Sequence, residues 1–126
     1  MIPKNCHLWQ KENLTSDDFN FETIKTYWES SHFWRLLQKC KQCGQLYIND
    51  TVEFVDWGEG NDEIFTTIIP VSEEELLKYD FSKISGPDLL ENFHPLIFWA
   101  PGNNIKWIRD NPFKVNNEEK YHFSTV

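Results

Sequence analysis

The residues best suited to chemistry are two cysteines separated by two positions, Cys40 and Cys43, with Gly44 directly after them. Two thiolates at this spacing can turn onto one tetrahedral ion, and the glycine permits the tight turn that this requires. Further ligands would have to come from the third cysteine or the histidines, which are Cys6, His7, His32, His94 and His122. No second closely spaced pair of the zinc-ribbon type is present. We therefore treat Cys40 and Cys43 as candidate ligands of a structural zinc ion, with partly buried thiols at a strand turn as the alternative.

Other cysteine chemistry fits the sequence less well. Three cysteines are an odd number, which does not suit a disulfide framework of the secreted type. A redox pair of the thioredoxin type should open a helix after a strand, whereas this pair lies between two predicted strands. A cysteine nucleophile needs a nearby base, and no spacing selects one of the four histidines. With no phosphate-binding glycine loop either, we predict that the protein is not an enzyme.

The charge of the chain is concentrated in one segment. The net charge is −8, yet residues 42–77 contain no Lys or Arg, and outside them the chain has 12 basic and 11 acidic residues. The acidic residues of this segment are Asp50, Glu53, Asp56, Glu59, Asp62, Glu63, Glu73, Glu74 and Glu75. Because a phosphate backbone requires clustered Lys and Arg, we expect no direct nucleic-acid partner.

Trp57 lies in the middle of these carboxylates. An aromatic anchor surrounded by acidic side chains suits a partner rich in Arg and Lys, through buried area, cation–π contact and electrostatic steering. The candidate partner-binding residues are Asp50, Glu53, Asp56, Trp57, Glu59, Asp62, Glu63 and Glu73. The alternative is a solvated acidic face with Trp57 packed in the core.

The first half of the chain predicts a helix followed by an antiparallel sheet. Phe21, Ile24 and Trp28 have the i, i+3, i+7 spacing of an amphipathic helix, capped at Ser16 or Asn20. Strands are predicted for Phe33–Cys40 and, from its alternation, Leu46–Phe54, with a bulge where Asp50 falls on the apolar side. Residues 64–69 would form the return strand of a hairpin, ended by Pro70.

The second half predicts two short helices and a last strand. Ser72 and Glu75 form a capping box, and Gly86-Pro87 places proline at the first position of a second helix. Residues 105–109 are the predicted closing strand, and 116–126 are a candidate tail. A chain of 126 residues corresponds to about one domain. We therefore expect a single α+β domain with an antiparallel sheet, an N-terminal helix and two short helices.

Apolar segments of targeting or membrane length are missing from the sequence. The N-terminus lacks the apolar region of a signal peptide, and the longest apolar run, Leu96–Ala100, is too short to span a bilayer. We expect a cytoplasmic protein that does not associate with membranes.

The central residues also carry a resemblance. The residues that carry it are the block CKQCGQLY at 40–47, VDWGEGND at 55–62 and IPV at 69–71. This pattern, with PDLL at 87–90 and IKWI at 105–108, resembles a group of small bacterial proteins. Such acidic, Trp-rich proteins are similar to immunity proteins of contact-dependent inhibition and related toxin systems. The resemblance implies a protein that binds and neutralises a cognate toxin domain, often a basic nuclease. A small zinc-binding adaptor is the alternative.

Overall fold

The computed structural model describes residues 1–60 and 62–110, and its main element is one sheet of six antiparallel strands. Each strand pairs with the next along the chain, so the order in the sheet is the order in the sequence. The strands are β1 (Phe21–Glu29), β2 (Phe33–Cys40), β3 (Leu46–Phe54), β4 (Glu63–Val71), β5 (Leu96–Ala100) and β6 (Asn104–Ile108).

Helical structure in the described residues is confined to short segments. Two 3-10 helices, His7–Gln10 and Ser16–Asp18, precede the sheet, and the helices α1 (Glu73–Lys78) and α2 (Gly86–Asn92) connect β4 to β5. No helix in the described part of the chain is long and apolar enough to cross a membrane.

The predicted α+β class is wrong, because the protein is mostly β and the predicted N-terminal helix is the strand β1. The pairing of β1 with β2 shifts register between Thr23 and Lys25 and again between Thr26 and Trp28. Each such irregularity reverses the alternation of side chains between the two faces of a strand. The apolar residues of β1 therefore lose the period of two and acquire a spacing that imitates a helix.

Several other predictions are confirmed and two are corrected. β2, β3, the hairpin return strand, the last strand and the two short helices lie where they were predicted, with the capping box at Ser72 and Pro87 in the first turn of α2.

Pro70 does not end β4, which continues to Val71. β5 pairs with β4 only at Thr66–Ile68, so on that side Pro70 has no ladder hydrogen bond to lose. β5 itself was not predicted, and the proposed tail lies outside the described residues.

Asp50 lies in a regular register opposite Arg35, so the predicted bulge is also wrong. Arg35 is only 1% exposed, and its Nε donates to Asp50 Oδ1 at 2.7 Å. Its Nη1 donates to the carbonyl oxygens of Phe81, at 2.8 Å, and Ile84. Asp50 therefore lies on the apolar side of β3 because it is the partner of a buried cation. The bonds from Arg35 to Phe81 and Ile84 also hold the connection between α1 and α2 against the sheet.

Each face of the sheet is covered by a different segment of the chain. The N-terminal residues contribute Cys6, Leu8 and Leu14 to one core, against Tyr47 and neighbouring strand residues. On the opposite face Phe81 and Leu89, from the segment between β4 and β5, pack on a second set of strand residues. Burying one such side chain contributes roughly 1.5–3 kcal/mol, so both covering segments are held mainly by apolar packing.

Candidate metal centre and acidic hairpin

The three cysteines meet at one end of the sheet. Their sulfur atoms all lie within 4.8 Å of one another. Cys40 ends β2, Cys43 belongs to the turn between β2 and β3, and Cys6 comes from the N-terminal segment that covers this face. None of the three is in a disulfide. Three thiols from two distant parts of the chain thus converge on one position.

The turn that carries Cys43 depends on glycine. Gly44 has φ of +82° and donates its N–H to the Cys40 carbonyl at 2.8 Å, while the Cys40 N–H bonds the Gln45 carbonyl at 2.9 Å. A side chain is strained at such a φ, so the glycine after the second cysteine is what lets the chain reverse within four residues. The expectation of a tight turn in this motif is confirmed.

The ring of His7 lies near one of the cysteines. Its Nδ1 lies 4.0 Å from Cys40 Sγ, and its Nε2 lies 3.0 Å from the Asp18 carbonyl oxygen. In the tautomer that donates to this carbonyl, the proton is on Nε2 and the Nδ1 lone pair is free to face Cys40 Sγ. A histidine that binds a metal is usually held in this way, by a hydrogen bond from its other ring nitrogen.

The segment that carries Cys6 and His7 is fastened to the sheet at several points. The Tyr47 hydroxyl donates to Cys6 Sγ at 3.0 Å, and the Tyr47 ring stacks on Phe21. Further along, Trp107 Nε1 donates to the Leu8 carbonyl at 2.8 Å, and the Arg109 guanidinium lies 3.9 Å from the centre of the Trp9 ring. The sulfur of Cys6 is therefore held in place by the core around it.

Burial disfavours negative charge on Cys6 and on its neighbour Tyr47. Burial raises the pKa of the Cys6 thiol to about 12, although the hydrogen bond from Tyr47 acts in the opposite direction. Burial also raises the pKa of Tyr47 above its ordinary value. Thiolates in such surroundings need a compensating positive charge, which a bound divalent cation supplies.

The opposite end of the hairpin formed by β3 and β4 carries the acidic loop, residues 55–62. Trp57 is 87% exposed there, so it is not a core residue. Asp56 Oδ1 accepts the N–H groups of Gly58, at 3.1 Å, and Glu59, at 3.0 Å. Asp62 Oδ1 accepts the Asp56 N–H at 2.8 Å. Two of the loop carboxylates therefore shape the backbone, whereas the side chain of Glu59 is exposed.

The candidate partner-binding residues fall into separate places. Five of them lie in the loop or at the adjoining start of β4, namely Asp56, Trp57, Glu59, Asp62 and Glu63. Asp50 accepts a hydrogen bond from Arg35, and Glu53 Oε1 lies 3.0 Å from His32 Nδ1. Glu73 begins α1, beyond the far end of β4. The structure thus groups the loop residues and separates Glu73 from them.

Sequence reasoning left the remaining metal ligands open between Cys6 with His7 and the other histidines. The structure brings Cys6 to the pair and His7 to Cys40, whereas His32 lies against Glu53 and His122 is outside the described residues. The adjacent placement of a cysteine and a histidine near the N-terminus was the signal in the sequence for this choice. The sequence could not show that this pair contacts Cys40, because no spacing rule predicts a contact between such distant residues.

The comparisons with known proteins add no assignment. No protein-family model, curated protein or solved structure matches this chain. The resemblance to immunity proteins stays a prediction, and arguments about function rest on the geometry of the two regions described above.

Proposed function

We propose that this protein is a binding protein built around a structural zinc site, with Cys6, Cys40, Cys43 and His7 as ligands. The observation that carries the proposal is the convergence of three sulfur atoms within 4.8 Å, with His7 Nδ1 at 4.0 Å from Cys40 Sγ. In a tetrahedral zinc site with Zn–S bonds of about 2.3 Å, sulfurs stand about 3.8 Å apart. Small movements of the side chains would bring the cluster to that spacing.

The ligand set favours zinc and a structural role. Three thiolates with one imidazole form one of the sets that structural zinc sites use, and soft sulfur ligands disfavour magnesium and calcium. Cys6 and Cys40 are buried, and in the proposed site His7, whose Nδ1 lies 4.0 Å from Cys40 Sγ, would take the fourth position. Such a site leaves no position for substrate. Burial of Cys40 also argues against a cysteine nucleophile activated by His7.

The position of the cluster explains what a metal would do here. The N-terminal residues form only two short 3-10 helices before β1, so the backbone of this segment makes few regular hydrogen bonds. A zinc ion would join it to the end of β2 and to the turn after it. The metal would thereby stabilise one of the two covering segments of the sheet.

Metal content of the full chain tests this proposal. Protein purified without added metal should contain about one zinc per chain by elemental analysis. Substitution with Co²⁺ should give the strong charge-transfer absorption of several thiolate ligands. Cys43→Ser and His7→Gln should each reduce the retained zinc, whereas His32→Gln is a matched control that should not. Zinc far below one per chain, or a His7→Gln protein with unaltered metal affinity, would contradict the assignment.

For the biological role, we propose an immunity protein that acts in the cytoplasm by binding a basic toxin domain. The supporting observation is the exposure of Trp57 at the end of a hairpin whose strands and loop contain no Lys or Arg. An exposed tryptophan among carboxylates can serve as an anchor for a cationic surface. The zinc site and this role are compatible, since one stabilises the sheet and the other uses its opposite end.

Protection of cells tests this role. Co-expression with the toxin domain encoded beside the gene should restore growth, and the two purified proteins should form a complex. Trp57→Ser should weaken both, while Leu77→Ser, a change at another exposed apolar residue, should not. If wild-type protein neither protects cells nor binds that domain, the role is wrong, whatever the metal content.

A further inference from the structure

A groove lies on the helix-bearing face of the sheet, beside the hairpin. It has a volume of about 310 Å³ and runs between α2 and the strands β3, β4 and β5. Phe54, Phe65 and Phe98 line it on the sheet, and Pro87 and Leu90 line it on α2. This size is near the lower limit of ligand pockets, roughly 300 Å³, and suits one or two large side chains better than a folded element.

The sheet side of the groove is a row of phenylalanines. The ring centres of Phe54 and Phe65 are 5.6 Å apart in an edge-to-face arrangement, and those of Phe65 and Phe98 are 6.1 Å apart. Phe54 is 61% exposed at the end of the row nearest the acidic loop. A contiguous row of rings that is exposed at one end marks an interaction site more often than a scattered apolar residue does.

The electrostatic surroundings of the groove differ between its two ends. The elements that line it, which are β3, β4, α2 and β5, contain no Lys or Arg, and neither does the loop at 55–62. Glu63 is the cross-strand partner of Phe54 at the end near the acidic loop, whereas Lys106 of β6 is the partner of Phe98 at the other end of the row. Asp50, the carboxylate within the groove, is already paired with Arg35, so the negative potential comes from Glu63 and the acidic loop. An apolar slot with carboxylates at one end is complementary to a basic segment that carries an apolar residue.

The opposite face of the same hairpin offers a poorer site for an apolar anchor. Its groove, lined by Trp34, Trp99 and Ile64, also contains polar side chains that bond one another. Thr51 Oγ1 donates to Asn49 Oδ1 at 2.7 Å and lies 3.0 Å from Thr66 Oγ1. An apolar group placed there would remove the remaining contact of these polar atoms with water, a cost that covering phenylalanine rings does not carry. Of the two faces, the one with the phenylalanine row is therefore the better site for an apolar side chain.

We propose that the groove between α2 and the phenylalanine row docks a short basic segment of the partner protein. One apolar side chain of that segment would enter between Phe54 and Leu90, and flanking Lys or Arg residues would face Glu63 and the carboxylates of the acidic loop. This inference rests on the proposed role as a toxin-binding protein, and it specifies the face and the chemistry of the contact. It extends the interface from Trp57 onto one side of the sheet.

A peptide titration on the zinc-loaded full chain tests the groove without any variant. The probes are three blocked hexapeptides with a Phe-Leu centre, flanked on each side by two Lys, two Ser or two Glu residues. In ¹⁵N-labelled protein, the Lys peptide should shift amides of β3, β4 and α2 around the groove. Binding should weaken from the Lys to the Ser peptide and again to the Glu peptide. Shifts confined to residues 55–60, shifts on the Trp34 face, or equal binding of the three peptides would overturn the proposal.

Variants then separate the groove from the broader role. Phe54→Ser should weaken the Lys peptide by about ten-fold, and Leu77→Ser, at an exposed leucine of α1, should leave it unchanged. If Trp57→Ser abolishes toxin neutralisation but Phe54→Ser does not affect it, the groove is not the docking site and the role stands. If no toxin domain is bound while the Lys peptide maps to the groove, the role fails and the basic-segment site stands.

Discussion

The two ends of the β3–β4 hairpin are built in opposite ways. At the cysteine end, Cys6 and His7 come from the N-terminal segment to meet Cys40, and covering segments bury both faces of the sheet. At the loop end, Trp57 and Phe54 remain 87% and 61% exposed. One end is closed by contacts between residues distant in sequence, and the other keeps large aromatic groups in solvent.

This difference separates stability from binding. Buried apolar side chains and converging ligands stabilise the cysteine end, whereas the loop end leaves apolar surface that association with a partner would bury. A change at the first end should therefore alter the free energy of unfolding. A change at the second should alter binding and leave that free energy nearly constant.

Loss of a metal ligand should be the largest effect and should fall on unfolding. We expect Cys40→Ser to lower the free energy of unfolding of the zinc-loaded protein by on the order of 5 kcal/mol, since metal binding contributes directly to folding. Urea denaturation measures this, and hydrogen exchange should show faster exchange in the N-terminal segment. His32→Gln is the control. A loss below about 1 kcal/mol would mean that the cysteines are ordinary packing residues.

Arg35 lies between the two ends of the hairpin, and removing its side chain tests how much the ion pair with Asp50 contributes to the free energy of unfolding. Arg35→Met leaves Asp50 without a partner and frees two carbonyl groups, so we expect a loss of roughly 3–5 kcal/mol in the free energy of unfolding. The double variant Arg35→Met, Asp50→Leu should recover part of this loss, because no carboxylate is then left unpaired. Urea denaturation of the single and double variants measures both. Equal stability of the two variants would show that the unpaired carboxylate is not the cause.

Trp57→Ser should weaken binding to the toxin domain and leave the free energy of unfolding nearly unchanged. We expect the dissociation rate of the complex with the toxin domain to rise about 30-fold, the equivalent of about 2 kcal/mol for an aromatic anchor. Because the side chain is exposed, the free energy of unfolding should change by no more than about 0.5 kcal/mol. Surface plasmon resonance and urea denaturation give the two quantities. A Trp57→Ser protein that is destabilised but dissociates from the toxin domain at the wild-type rate would show that Trp57 contributes to stability and not to binding.

Charge reversal in the hairpin should have the smallest effect, mainly on association. Asp56 and Asp62 bond the loop backbone, so the informative variant is Glu59→Lys with Glu63→Lys. We expect association with the toxin domain to slow roughly ten-fold at low salt, with the difference shrinking as the salt concentration rises. Glu73→Lys with Glu74→Lys is the matched control, because it makes the same charge change in α1. Equal slowing in both variants, measured by stopped flow, would indicate a general charge effect and no local docking surface.

Local signals predicted the strands and short helices because neighbouring residues decide them. The alternation in β3, the capping box at Ser72 and the proline of α2 each act within a few positions of the chain. The same local reasoning failed in β1, where two register shifts hide the alternation. It also passed over β5, whose uniformly apolar residues show no period.

The sequence alone determined the kinds of groups available to this protein. It showed a cysteine pair able to bind a metal, a tight turn at Gly44, and a basic-free segment around Trp57. These properties depend on residue type and short spacing, which need no knowledge of the fold.

Only the tertiary structure decided which groups meet. It brought Cys6 to Cys40 and Cys43 and His7 to Cys40, paired Asp50 with Arg35, and left Trp57 in solvent. These contacts join residues far apart in the chain, or depend on which face of a strand is covered. Their free energy comes from packing and pairing that exist once the sheet has formed, so no local pattern of residues encodes them.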